Sequence, residues 1–293
     1  SDQNNSIFDS NINNDTPNPL QPAIDLPNST SERHKKNSVP TDGIIPRIIR
    51  EIFARIALSP THIEYTVAVL YMEIYMEQIR DLLDKHNSCT ISEDIEGSVF
   101  VKGLSQVYVS LSSELLSVFE RGNRLRATGA TGMNAGSSRS HAIFQLRLTQ
   151  KEGATFKKLD LFLVDLAGLE KIDRTGAVGQ LLEEAKKINK LLSALGNVIF
   201  TLAEGKASHI PFRDLKLTRI LQELLGGNSR TTLIINCSPS LMDELETLST
   251  LRFGSSAKKI KNKPIVNTTL SIDGLKQKII DLERELAFKS EYA

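Results

Sequence analysis

The sequence predicts an α/β fold of three layers, a sheet with helices on both faces. Two observations carry this. Short apolar runs suited to buried strands, TVAVLYMEIYM from Thr66 and LDLFLVD from Leu159, alternate with longer segments of helical periodicity. Of the 293 residues, 40% are apolar and 24% charged, the balance of a globular chain with a sizeable core.

Residues 1–42 read as a disordered segment or loop insertion. Seven of the first 30 residues are Asn and four are Pro, and no Lys or Arg precedes Arg33. Such a stretch has too little apolar surface to offset its ordering entropy. The chain opens on Ser1 rather than Met, which predicts a fragment or processed product. Order begins at Gly43, where Ile45, Ile48, Ile49, Ile52, Phe53 and Ile56 form a helical stripe and Pro46 sits harmlessly in the first turn. Thr66–Met76 is a strand by its β-branched and aromatic content, Glu77–Leu83 a short amphipathic turn or helix, and residues 86–100 a hairpin and loop. Ser112–Arg126 is a helix with Leu115, Leu116, Phe119 and Leu125 inward. A Gly/Ser/Thr-rich loop, Ala127–Ser140, leads into the alternating strand His141–Thr149.

Leu159–Asp165 is nearly unbroken in apolarity, which suits a strand buried on both faces. It ends at Asp165-Leu166-Ala167-Gly168. An Asp at the carboxyl end of a buried strand can hold a metal-bound water, and a Gly three residues on lets a backbone N–H approach a phosphate. The helix Leu182–Leu202 follows, with Ala185, Ile188, Leu192, Leu195, Ile199 and Leu202 on one face and Lys186, Lys187, Lys190 and Asn197 off it. After the loop 209–214, Asp214 is placed to cap LKLTRILQELL, which Gly226-Gly227 ends. Thr231–Cys237 reads as another buried strand and residues 243–257 as a helix. A Pro-containing linker over 263–272 precedes Leu275, Ile279, Leu282 and Leu286, spaced as the start of a coiled coil or as a plain amphipathic tail.

A net charge of +1 supplies no global field for nucleic acid, so any basic surface is local. Cys89 and Cys237 stand far apart without a partner motif, as in a reducing compartment. No signal peptide and no apolar run of bilayer-spanning length occurs, which predicts no membrane insertion and a cytoplasmic location.

Three polar loops are candidate sites: Met133–His141, Asp165–Glu170 and residues 209–219. Singly each is weak. In order, however, NAGSSRSH, DLAGLEK, EEAKKINKLLSALGNVI, HIPFRDLKLTRIL and GGNSRTTLIINCSPS resemble the kinesin motor domain from about Gly43 to Asn262, with GIIPRI, YMEIYMEQIRDLL and TLSTLRFGSSAKKIKN as further matches. The phrasing is most similar to fungal conventional kinesin heavy chains. The resemblance implies a P-loop-NTPase-like motor fold over 43–262, a neck linker over 263–272 and a neck coiled coil from 273 to 293. It also implies an ATPase using ATP and Mg²⁺, microtubules (tubulin) as partner and track, and a homodimer.

By position, the resemblance assigns NxxSSRSH to the first switch, with Asn134, Ser137 and Ser138 at the γ-phosphate and Ser138 a magnesium ligand. DLAGxE is the second switch: Asp165 holds a magnesium-bound water and Gly168 donates its N–H to the γ-phosphate. Arg139 and Glu170 form a latch between the two switches. Lys171, Arg174, Lys187, Lys190, Arg213, Lys216 and Arg219 are the implied microtubule-binding cations, and tubulin's acidity makes such a local patch sufficient.

Two departures stand out. No GxxxxGK[ST] loop occurs in the chain, so the first strands and the phosphate-binding loop of that fold are expected to be missing. A nucleotide-site-deficient microtubule-binding or dimerising protein is therefore the rival reading. Leu70, Leu169, Leu191, Leu215 and Leu224 each stand where the family has Ser, with Leu111 and Leu241 as further candidates. Repetition of one exchange predicts a leucine codon decoded as serine.

Overall fold

Strand β1 (Ile63–Tyr75) sets the architecture, because its side chains alternate between two cores. Val67, Val69 and Tyr71 face one way and Met72 and Ile74 the other. The computed structural model describes residues 42–291 except 96, 129–138, 169–179, 206 and 208. Residues 1–41, read from composition as unfolded, lie outside them.

The main sheet runs β2-β1-β6-β7-β8, with β5 (Val107–Val109) also paired to β1. Here β2 is Gln78–Asp81, β6 His141–Glu152, β7 Thr155–Asp165 and β8 Asn267–Leu270. Every pairing in it is antiparallel. A small hairpin, β3 (Thr90–Glu93) and β4 (Val99–Lys102), stands apart as a second sheet. Helices α1 (Ile44–Ala57) and α2 (Ser112–Thr128) cover one face: Ile49, Ile52, Phe53, Leu115, Leu116 and Phe119 pack on Val67, Val69, Tyr71, Phe144 and Leu146. The opposite face is covered by α3 (Gln180–Glu204), the short α4 (Lys216–Ile220) and α5 (Glu244–Ala257). Leu195, Ile199, Leu217, Ile220, Leu221 and Phe253 meet Met72, Ile74, Ile143 and Phe162 there. The expected three layers are present.

Four local expectations are corrected. Where Glu77–Leu83 is expected to be a short turn or helix, residues 78–81 form a strand: Met76 (φ 50°) and Glu77 (φ 63°) make a two-residue hairpin turn that returns β2 along β1. Asp214 does not cap α4. Leu215 occupies the cap position in extended conformation with no side-chain cap, and the Glu77 carboxylate accepts the Lys216 N–H at 3.0 Å instead. Thr231–Cys237 has buried-strand composition but runs as unpaired, exposed chain, with Leu233 42% and Ile234 62% accessible. Strand β7 is likewise only half-buried, because β8 pairs with Thr155–Lys158 alone and the same edge from Leu159 to Asp165 has no strand beside it among the described residues.

The linker 263–272 holds β8 and is tethered by Asn228, which accepts the Ile265 N–H at 2.7 Å and donates to Asn267 at 2.8 Å. Helix α6 (Ile272–Glu291) follows, with Leu275, Ile279, Leu282 and Leu286 exposed.

Candidate functional site

The β6–β7 register positions the site. Ala142 pairs with Asp165, so the start of β6 and the end of β7 lie side by side at one end of the sheet. The two strand ends therefore meet, although His141 and Asp165 are 24 positions apart in sequence. A buried histidine joins them. His141 is wholly inaccessible, and its Nδ1 accepts the Ala167 N–H at 3.0 Å. That bond places the ring proton on Nε2. Burial lowers the His141 pKa to about 4; Asp165 opposes the shift and Arg126 assists it. The imidazole is neutral at neutral pH.

Arg126, from the last turn of α2, ties the two strand ends together. It donates to Asp165 Oδ2 at 2.8 Å and to the buried Ser140 carbonyl at 3.2 Å, and lies 3.8 Å from the Glu73 carboxylate. Glu73 is buried within β1 and also has Arg80 at 3.6 Å. Asp165 is 67% exposed on its side chain, so it faces outward from this ion-pair cluster. With Oδ2 held by Arg126, the other oxygen is the one suited to a metal-bound water. Among the described residues there is no cluster of three or more His, Cys, Asp or Glu for a protein-caged metal.

Of the expected site residues, Asp165 and Gly168 are brought to the sheet end, and half-buried Arg139 precedes the buried Ser140 at the mouth of β6. Asn134, Ser137, Ser138 and Glu170 lie outside the described residues, as do Lys171 and Arg174. Lys187 is on α3, its side chain outside the description; Lys190 is exposed on the same helix. Arg213, Lys216 and Arg219 lie on the segment 212–220, which packs against α3 through Leu217 and Ile220. Sequence reasoning missed Arg126 and Glu73, and gave His141, the last residue of the first candidate loop, no role of its own. Glu73 in the apolar run of β1 signals a buried polar device, but not its partner, whereas Arg126 is one of three arginines in the second half of α2 and nothing in the sequence singles it out.

The stretches that resemble serine positions behave differently from one another. Leu70 and Leu215 are buried and Leu224 packs against a core, all places that suit leucine. Leu111 is 57% exposed immediately before α2, and its N–H donates to Glu114 at 3.2 Å. That is half of a capping box whose other half needs a hydroxyl at 111. Leu169 lies outside the described residues and Leu191 outside the described side chains.

Similarity to known proteins gives the family. Residues 33–260 match the Kinesin motor domain family, and the chain belongs to it. It is 57% identical to Kinesin heavy chain of Neurospora crassa over 253 residues, 85% of this chain and 27% of that protein. It is 62% identical to Kinesin heavy chain of Gibberella moniliformis over 237 residues, 80% of this chain and 26% of that protein. The chain thus spans about a quarter of the length of these relatives. A solved fast kinesin, described for its ATPase mechanism and interactions with microtubules, superposes with TM-score 0.73 at 58% identity, covering 82% of this chain and 70% of that one. A KIF14 dimer with AMP-PNP in complex with a microtubule superposes with TM-score 0.71 at 40% identity, covering 77% and 67%.

Proposed function

We propose that this chain carries the switch, track-binding and neck portions of an ATP-driven microtubule motor of the kinesin heavy chain type. The observation that supports the reading is the Ala142–Asp165 pairing, pinned by His141, which brings Ser140 and Ala167, one beside each proposed switch, to the same end of the sheet. Magnesium ATP would supply the phosphoryl group and the charge that the loops sense. Asn134, Ser137 and Ser138 would line the γ-phosphate, Ser138 and Asp165 (through water) would hold the metal, and Gly168 would donate its N–H. Arg139 and Glu170 would latch the closed state. Loss of the γ-phosphate would release both loops, and α3 would carry the change to the microtubule face formed by Lys171, Arg174, Lys187, Lys190, Arg213, Lys216 and Arg219. Plus-end direction follows from the motor-then-neck order by resemblance. Helix α6, with its exposed apolar seam, would form the homodimer, and the site of action is the cytoplasmic microtubule array.

The unpaired edge of β7 and the unpaired segment 231–237 support a further part of the proposal: a phosphate-binding loop and its strands, contributed by sequence outside these 293 residues, complete the sheet. The same open edge favours the rival reading, a microtubule-binding protein without a nucleotide site. Titration of a fluorescent ATP analogue distinguishes them. The 293 residues alone should bind it feebly, whereas the full-length product should bind it tightly. Equal, negligible binding by both would favour the rival.

A further inference from the structure

Two of the cations assigned to the track-binding face are already engaged within the chain. Glu93, at the end of β3, accepts from Arg213 at 3.1 Å and from Arg219 at 2.9 Å. The three residues come from elements 120 and 126 positions apart in sequence. Packing fixes the arrangement. Ile91 lies two residues before Glu93, on the same face of β3, and joins Val101 against Leu217, Ile220 and Leu221. The apolar contact seats the hairpin on α4, and Glu93 reaches the arginines at its rim. Arg219 is mostly covered, with its Nε buried and unpartnered, so Glu93 supplies the fixed contact of that guanidinium. The two arginines hold the Glu93 carboxyl below its usual range, chiefly through the Arg219 bond.

We propose that Glu93 is a built-in counter-ion that competes with an acidic partner for Arg213 and Arg219. With Glu93 bound, these three side chains present one net positive charge; with it displaced, two free guanidiniums. An acidic docking surface must take the arginines from Glu93, which lowers affinity and aids release. Displacement also frees the rim of the β3–β4 hairpin. The partner chemistry is a carboxylate-rich protein surface, and this inference rests on the track-binding role given above to the same face.

The test uses the full-length protein in two binding assays, microtubule co-sedimentation and fluorescence titration with poly-L-glutamate, each at two salt concentrations. Glu93→Gln should tighten both by about two- to five-fold, the worth of exposed ion pairs, with a steeper salt dependence. The gain should vanish when Arg213→Ala and Arg219→Ala are also present. Asp94→Asn removes the neighbouring charge while its side-chain oxygen still accepts the Ser98 N–H, and should give a smaller gain. Glu93→Asp, shorter but still charged, serves if the Gln variant folds poorly, and should fall between wild type and Gln. Unchanged or weaker binding by Glu93→Gln, or an equal gain from Asp94→Asn, overturns the inference. Wild type that ignores microtubules but binds poly-L-glutamate with the stated variant pattern sinks the track-binding role and leaves the counter-ion in place.

Discussion

Replacing Arg126 by Met should destabilise the domain by about 3 kcal/mol. The figure comes from what the guanidinium holds. Its bond to Asp165 contributes little, because that carboxylate is mostly solvated. Its contacts with Glu73 and the Ser140 carbonyl are different, since both residues are buried and Arg126 itself is only 12% exposed. Removing one member of a buried pair costs roughly 3–5 kcal/mol, because a charge is left uncompensated. Arg80 remains 3.6 Å from Glu73, which places the loss at the lower end. For a domain of this size about 3 kcal/mol corresponds to a fall of roughly 6–12 °C in Tm. Thermal and urea unfolding of the full-length protein measure it. Adding Glu73→Gln to Arg126→Met should recover a large part of the loss, since the stranded charge is gone. A single-variant loss below about 1 kcal/mol, or no recovery in the double variant, would refute the reasoning.

Other outcomes follow from the same geometry. The folded-state pKa of His141, about 4, lies below its ordinary 6.5, so the unfolded chain binds more protons between those values. Stability should therefore fall as pH drops from 6.5 to 4, by roughly 3 kcal/mol from this residue. His141→Gln retains an acceptor for Ala167 and should flatten the slope; parallel pH profiles for the two proteins would contradict the assignment. Leu111→Ser completes the capping box with Glu114 and should stabilise α2 by about 1 kcal/mol, read as a raised urea midpoint. Peptide mass spectrometry of protein from its native cells should find Ser at 111 if the codon is decoded as serine.

The layers were legible because periodicity states which face of an element is apolar. The strands within Thr66–Met76 and His141–Thr149, the helices at 44, 112 and 180, and the stripe Leu192, Leu195 and Ile199 all follow from it. The β1–β2 turn was not legible: Met76 and Glu77 adopt positive φ without glycine, and their helix-compatible chemistry hides a hairpin. Thr231–Cys237 reads as a buried strand because its composition suits two covered faces, but composition names no neighbours, and among the described residues no strand pairs with it. The site shows the same limit. Asp165 and Gly168 stand in a recognisable pattern, whereas the Ala142–Asp165 pairing, the His141 pin and the capture of Arg213 and Arg219 by Glu93 depend on register and packing between distant segments.

Microtubule-stimulated ATP hydrolysis by the full-length product tests the central claim most directly. The account predicts turnover that rises on adding microtubules and is lost in Asp165→Asn with the fold intact. Hydrolysis indifferent to microtubules, or undiminished in Asp165→Asn, would contradict it.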